Sequence, residues 1–226
     1  MRLVIISDTH EKHRYLRVPE GDVLVHAGDM TNIGAKDAFV DFNNWLGDLP
    51  HEYKVVIAGN HDRLLEGNDD LARGLLSNAI YLRDSAVRIG NVHFWGSPWS
   101  PEFFPETWKF NLKRRSAHKT WALIPENTDV LVVHGPPYGR GPSEPWDRCP
   151  DMHDRHKSVH VGCHALRLRM EALPALRLLV CGHIHEGYGA YETDHGRVVN
   201  ASSCTGDYKP VNPPIVIELD EHTKHG

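Results

Sequence analysis

The sequence predicts an α/β fold whose strands deliver polar side chains to one end of a buried sheet. Three observations carry this expectation. Five runs dominated by leucine and β-branched residues, at 3–6, 23–25, 54–58, 129–133 and 176–180, lack the polar alternation of a half-exposed strand. They read as strands covered on both faces. Each is followed within a few residues by side chains able to bind a metal: Asp8 and His10, then Asp29, then Asn60, then His134, then His183 and His185. From about Ile80 the texture shifts to shorter strands and tight turns, so a parallel pattern gives way to a mixed one.

The elements follow in order. Run 3–6 ends in Ser7-Asp8-Thr9-His10; in extended backbone Asp8 and His10 point the same way while Thr9 points back. Run 23–25 leads into His26-Ala27-Gly28-Asp29. The spacing of Phe39, Phe42, Trp45 and Leu46 predicts a helix over 35–46, with Gly47 as its stop. Strand 54–58 delivers Gly59-Asn60-His61-Asp62, where an amide oxygen adjoins an imidazole. That pairing suits a metal in need of an oxygen ligand, next to a group that can carry a proton. A short helix is expected at 71–76. Segments 86–89 and 92–95 form a hairpin across Gly90-Asn91, which tolerates the positive φ of a tight turn. Residues 96–105 read as an ordered loop, and a polar helix carrying Lys113, Arg114 and Arg115 runs to Trp121. The glycine-, proline- and charge-rich stretch 138–158 is a long surface excursion, a kind that tends to be functional. A helix at 163–173 and extended segments near 188–192, 197–200 and 215–219 complete the chain. With 226 residues, no internal repeat and no low-complexity linker, one domain over 1–226 is the expectation.

Composition narrows the function. Hydrophobic content of 40% and charged content of 24% are ordinary for a soluble globular protein. A net charge of -5 gives no global attraction for nucleic acid, so a phosphate-bearing substrate must be drawn locally. No apolar run reaches membrane-spanning length, and the chain enters a strand at once without a signal-peptide pattern. Cys149, Cys163, Cys181 and Cys204 are far apart, with no Cys-x-x-Cys pair, which argues against a zinc knuckle or a disulfide framework. A reducing, cytoplasmic setting is expected. Seventeen histidines, by contrast, invite a metal hypothesis.

Seven oxygen and nitrogen ligands at strand ends are too many for one ion and suit two, lying where open α/β sheets bind ligands. Asp, Asn and His donors without cysteine favour manganese, iron or zinc over calcium. Two ions about 3.5–4 Å apart can hold a bridging hydroxide and clamp an in-line displacement at phosphorus. Asp29, between the two sets in chain order, is the natural bridging carboxylate. Taken singly, each ligand is better explained as a cap, a turn residue or a satisfied core histidine. Together, at the ends of five strands, they are not.

The motif series Asp8-Thr9-His10, Gly28-Asp29, Gly59-Asn60-His61, His134-Gly135 and Gly182-His183-Ile184-His185 resembles that of the calcineurin-like metallophosphoesterases, across nearly the whole chain. The resemblance implies a four-layer β-sandwich of two mixed sheets flanked by helices. It implies one metal on Asp8, His10, Asp29 and His185, a second on Asp29, Asn60, His134 and His183, and His61 as proton donor to the leaving oxygen. Trp45-Leu46-Gly47, Glu186-Gly187-Tyr188-Gly189, Asn200-Ala201-Ser202 and Asn212-Pro213-Pro214-Ile215 further resemble the metallophosphoesterase-domain-containing branch. That branch is associated with hydrolysis of cyclic nucleotides, including 2′,3′-cyclic ones. Some of its animal members carry glycine at the position of His183, which this chain keeps. The excursion 138–158 departs from the branch pattern.

Other residues have plainer readings. Asp62 either orients an imidazole or caps a turn. His26 belongs to the core or supports a ligand. His153, His156, His160 and His164 fit no zinc signature and read as a solvated loop, although its histidines and Arg155 would reach substrate if the loop covered the metals. Lys113, Arg114 and Arg115 form a solvated face, while Trp99, Phe103, Phe104 and Tyr138 either stack on a base or pack locally. The expected protein is a phosphodiesterase with two divalent ions, Mn2+ first and Fe or Zn next, acting on a small diester such as a cyclic nucleotide. Asn60 and His61 are its catalytic residues, and no membrane or nucleic-acid partner is expected. A phosphomonoesterase or protein phosphatase on the same centre is the alternative enzyme, and a nucleotide-binding scaffold the alternative without catalysis.

Overall fold

The computed structural model describes residues 1–103, 108–151, 153 and 156–220. Along the chain the strands are β1 (Arg2–Ile6), β2 (Val23–Ala27), β3 (Tyr53–Ile57), β4 (Ile80–Tyr81), β5 (Ser85–Ile89), β6 (Val92–Ser97), β7 (Ser100–Pro101), β8 (Asn111–Leu112), β9 (Val130–Val133), β10 (Arg148–Pro150), β11 (Ser158–His160), β12 (Leu178–Cys181), β13 (Gly189–Thr193), β14 (Gly196–Asn200) and β15 (Ile215–Glu218). The α-helices are α1 (Lys36–Asp48), α2 (Asp69–Leu75), α3 (Ala117–Trp121) and α4 (His164–Glu171). One large sheet has the order β15-β1-β2-β3-β4, parallel except for β15. The other has the order β13-β14-β12-β9-β6-β5, with a parallel centre and antiparallel edges.

Period-2 geometry explains why the runs are apolar throughout. In β1, Leu3 and Ile5 face the space between the sheets, where they meet Val25, Ile57, Val132 and Val180. Val4 and Ile6 face the other way, onto Phe39, Phe42 and Leu46 of α1. In the second sheet Leu131, Val133 and Leu179 turn outward to Trp121, Leu166 and Met170. The result is helix, sheet, sheet, helix: the four layers that the resemblance implied. Each such side chain contributes about 1.5–3 kcal/mol by leaving water. The strands stop where the polar motifs begin, so the sheets hold all five motifs at their carboxyl ends.

Several expectations need correction. Gly47 is not the stop of α1, which continues through it to Asp48. A Cβ there would lie 2.8 Å from Asn78 Nδ2, so this glycine serves a close approach. The helix ends because Leu49 precedes Pro50, whose ring drives the preceding residue to extended backbone, here ψ 140. Arg114 and Arg115 lie in a 3-10 turn, and the α-helix proper begins at Ala117. Pairing of β8 with β7 holds the chain extended just before that turn, against its helical propensity. The segment 96–105 is partly strand, with Ser97 in β6 and Ser100–Pro101 as β7. The described residues of the 138–158 excursion are organised around the antiparallel pair β10 and β11, and its Trp146 is fully buried. Phe104 and Arg155 lie outside the described residues. Gly90-Asn91 forms the expected turn, with Ile89 opposite Val92 and Gly90 at φ 59. No helix among the described residues is long and apolar enough to cross a membrane.

His26 is a core residue, as expected. Its Nδ1 accepts the Gly28 N–H at 3.2 Å, so Nε2 carries the proton and donates to Thr9 Oγ1 at 3.0 Å. Burial favours this neutral ring and lowers its pKa to about 3. Below pH 6.5 the unfolded chain takes up a proton that the native ring refuses, so this contribution to stability is present above that pH and is lost as pH falls toward 3. His26→Gln is expected to flatten the decline of the thermal midpoint between pH 7 and pH 5, beyond lowering its level. A midpoint–pH curve merely displaced in parallel would contradict this assignment.

Candidate metal centre

The sheets converge at backbone that few residues tolerate. Asp8, His10, Asp29 and His183 have φ of 50, 43, 56 and 66, the left-handed region that costs a non-glycine residue about 1 kcal/mol or more. Four of the seven predicted ligands thus sit in strained conformations, a concentration typical of functional sites. Glycine permits the close approach of the two sheets. A Cβ on Gly59 would lie 2.5 Å from Asp29 N and 2.6 Å from His134 Cε1. One on Gly182 would lie 2.1 Å from Asp8 Oδ2.

Four imidazoles are oriented in one manner. Nδ1 of His10, His61, His134 and His185 donates to the carbonyls of Thr31, Asn32, Ala27 and Thr205 at 3.3, 2.6, 2.8 and 2.8 Å. Each Nε2 is thereby turned inward, the arrangement by which a backbone carbonyl fixes a metal-ligating histidine. His10 Nε2 lies 3.4 Å from His185 Nε2, which is 3.3 Å from Asp8 Oδ1. His134 Nε2 lies 2.9 Å from Asn60 Oδ1 and 3.3 Å from Asp29 Oδ2. That same Asp29 oxygen is 4.0 Å from His10 Nε2 and 3.9 Å from His61 Nε2, so it stands between two groups of donors. The donor atoms of Asp8, His10 and His185 fall within 4.8 Å of one another, as do those of Asp29, His134 and His183. Distance also groups His61 with His10 and Asp29.

Charge fits two cations. Although burial favours neutral acids, His185 holds Asp8 well below the usual carboxylate range, and His134 does the same for Asp29. In return, against burial, Asp29 raises His134 and Asp8 raises His185, each to about 9. Burial lowers His10 to about 4 and His183 to about 3, which leaves their rings neutral at physiological pH. The metal-free centre therefore keeps protons on two imidazoles beside buried carboxylates, where divalent ions fit. The donor set, two carboxylates, one amide and four imidazoles without thiolate, matches that use.

Asp62 has a role the sequence did not reveal. It neither orients an imidazole nor caps the turn that follows it through its side chain. Its Oδ2 accepts N–H bonds from Gly59 at 2.8 Å and Asp29 at 2.9 Å, and its Oδ1 accepts from Thr31 N at 3.0 Å and Thr31 Oγ1 at 2.8 Å. One carboxylate thus ties the loop after β2 to the loop after β3. Burial, then the Asp29 charge, push it up to about 7, while the donors of Gly59 and Thr31 pull it down. Ser202, quoted in the sequence only as part of a likeness, donates through Oγ to Asp8 Oδ2 at 2.9 Å.

The centre opens to a mouth of about 230 Å³ lined by Asp29, Asn60, His61, His183 and His185, with Phe103, Trp108 and Tyr208 around them. Trp108 lies 4.1 Å from the His61 ring, centroid to centroid, and the Tyr208 ring stands nearly perpendicular to that of His10 at 4.7 Å. Neither carried a sequence signal, because each reaches the mouth from a loop outside every motif. Trp99 and Tyr138 pack locally: Trp99 Nε1 donates to Asp84 Oδ2 at 2.8 Å, and Tyr138 stacks on His164 at 3.7 Å. His160 is not solvated, since it binds the buried Asp147 carboxylate at 2.6 Å. No metal grouping among the described residues includes any member of the 153–164 histidine cluster.

The family model for calcineurin-like phosphoesterases matches residues 1–187. Human metallophosphoesterase domain-containing protein 1 is 42% identical, in an alignment covering 96% of this chain and 71% of that protein. A UPF0046 protein of Caenorhabditis elegans is 32% identical over 97% of this chain and 81% of its own length. Among solved structures, TT1561 of Thermus thermophilus shares the fold, with a TM-score of 0.60 at 14% identity over 89% of this chain and 88% of its own.

Two expected outcomes follow from the geometry. Asp62→Asn presents an NH2 group to N–H donors and leaves at least one buried donor unmet, at a cost of about 1–3 kcal/mol. It should lower the melting temperature and the bound-metal content together, as read by calorimetry and elemental analysis. Metal uptake near pH 7 should release protons from His134 and His185, with affinity rising from pH 6 toward pH 9 as these imidazoles lose their protons. Titration calorimetry in buffers of different ionisation enthalpy measures that release, and heats independent of buffer would contradict it.

Proposed function

The chain belongs to the calcineurin-like phosphoesterase family, metal-dependent phosphoric ester hydrolases, and on that premise we propose that it hydrolyses phosphodiesters, cyclic nucleotides first among them, on a dinuclear centre. The observation that carries this reading is His61. Its Nδ1 is held by the Asn32 carbonyl, and its Nε2 faces the mouth beside Asp29. An imidazole so placed can hand a proton to a departing alkoxide, which a diester of an ordinary alcohol needs because that alkoxide leaves poorly unassisted.

In this reading Asp8, His10, Asp29 and His185 hold one ion and Asp29, Asn60, His134 and His183 the other, with manganese the first expectation. When bound, the ions supply a nucleophilic water of lowered pKa and positive charge against the phosphoryl oxygens. The chain's own residues do the rest. Asn60, whose Oδ1 points at His134, can offer its NH2 group to a phosphoryl oxygen. Trp108 packs on the His61 ring and Arg63 lies over Trp108 at 4.7 Å, so the acid is fixed from outside. Four cysteines without disulfide partners suit a reducing cytoplasm.

The direct test is manganese-reconstituted protein on 2′,3′-cyclic AMP, 3′,5′-cyclic AMP, bis-p-nitrophenyl phosphate and p-nitrophenyl phosphate, with a chelated control. Chelator-sensitive turnover of the diesters should exceed that of the monoester. A clear monoester preference would instead identify a phosphatase, and no turnover by metal-replete protein a scaffold. His61→Gln should keep its metal and lose about 10²–10⁴-fold on the cyclic diesters. The loss should be smaller on bis-p-nitrophenyl phosphate, whose leaving group needs no proton. Loss of metal with turnover would make His61 a ligand.

A further inference from the structure

The excursion that departs from the branch pattern builds a wall. Its base is fixed by the buried Asp147, which accepts N–H bonds from Gly139 at 3.1 Å and Gly162 at 2.9 Å besides the His160 ring. Trp146 Nε1 donates to the Pro137 carbonyl at 2.9 Å, and Arg167 grips Glu144 through two bonds of 2.8 and 3.0 Å. From this base β10 and β11 rise as an antiparallel pair. Between that pair and the metal centre lies a cavity of about 470 Å³.

The cavity adjoins the catalytic mouth, because Phe103 and His183 line both. Its walls are apolar, with Phe103, Pro136 and Ile184 on the side of the centre and Val159 and Val161 on the side of the hairpin. Arg114 also borders it, but its guanidinium is committed to the carbonyls of Val161 and Gly162 at 2.6 and 2.9 Å, and so braces the wall. This is the reason Arg114 is more than part of a solvated face. Asp151 and His153 also lie on the lining, where the His153 N–H donates to Asp151 Oδ1 at 2.7 Å.

We propose that this cavity is the base pocket of the enzyme: it takes the nucleobase of a nucleotide diester whose phosphorus sits at the metal centre, and the paired strands β10 and β11 set that preference. The inference rests on the phosphodiesterase reading above. Its volume lies in the roughly 300–1,000 Å³ range of small-molecule sites, enough for one nucleoside and short of the space two acyl chains occupy. Flat proline and phenylalanine faces with a few polar groups suit a planar heterocycle with a polar edge. They suit a phosphoprotein loop, with its many backbone polar groups, poorly.

The test reads binding as well as turnover. Metal-loaded protein is titrated calorimetrically with adenosine 5′-monophosphate and with ribose 5-phosphate, which differ only in the base. The native protein should bind the nucleotide at least tenfold more tightly. Val159→Trp, which fills the cavity from the hairpin, should remove most of that advantage, and Phe103→Ala should reduce it from the opposite wall. Melting temperature and metal content confirm that each variant is folded, and either variant alone suffices for the test. Equal affinities in the native protein, or a folded variant that weakens both ligands by the same factor, would overturn the proposal. So would tighter binding of an acyl glycerophosphate that Val159→Trp abolishes while the nucleotide is unaffected. Diester turnover without base preference sinks this inference alone. Base preference without diester turnover sinks the phosphodiesterase reading instead.

Discussion

The Asp62 carboxylate is the interaction on which the centre depends. Loops in left-handed backbone cannot place their N–H groups in a sheet ladder, yet buried N–H groups need partners. Asp62 collects those of Gly59, Asp29 and Thr31 at one point, 0% exposed, through charge-assisted bonds. Asp29 N is thereby fixed from one side, and Asp29 Oδ1 is fixed from the other by the His61 N–H at 2.8 Å. The residue between the two donor groups is thus held at both its main chain and its side chain. The cost is a second carboxylate buried near Asp29, and each charge opposes the other. Positive charge at the centre relieves that repulsion, so metal occupancy and fold stability are coupled through this pair.

The second constraint is that two sheets must meet at their ends. His134 leaves β9 in one sheet and donates through Nδ1 to Ala27 at the end of β2 in the other. Ser203 N donates to Ser7 O at 2.8 Å, and His183 N donates to Asp8 Oδ2 at 3.0 Å. These ties cross from sheet to sheet within the centre itself, so the ligands also join the layers. Glycine at 59 and 182 follows directly, since any side chain there would hold the sheets apart.

Much of this was legible in the sequence because one physical rule wrote it. A strand buried on both faces is apolar to its last residue, so the polar residue that follows marks the end of the strand and the edge of the sheet. The seven candidate positions were picked out in that way, and the structure brings their side chains together. What was not legible came from long-range pairing. Asp62 looks like any acid in a turn until β2 and β3 lie side by side. Gly47 reads as a stop by propensity, yet α1 runs on to Asp48 and ends there because of Pro50. Arg114 was expected on an α-helix, but it lies in the 3-10 turn that leads into α3, and the Val161 and Gly162 carbonyls hold its side chain. Trp108 and Tyr208 reach the mouth from loops without periodicity, and no local pattern announces them.

The division between scaffold and wall bears on how such a centre acquires a substrate. Every oriented imidazole is fixed through Nδ1 to a backbone carbonyl, and the donor atoms already lie within ligating distance of one another. The ordering entropy of these candidate ligands is thus met by folding, which would leave little reorganisation for metal binding beyond the departure of protons. The hairpin is built otherwise. Asp147, Trp146 and Glu144 anchor its base by contacts that include none of the candidate metal ligands. Changes on its cavity side, as at Val159, can therefore reshape the cavity without moving Asp8, Asp29 or His134. A centre held by strand ends beside a wall held by a separate buried carboxylate can alter the ester it accepts while conserving the chemistry it performs.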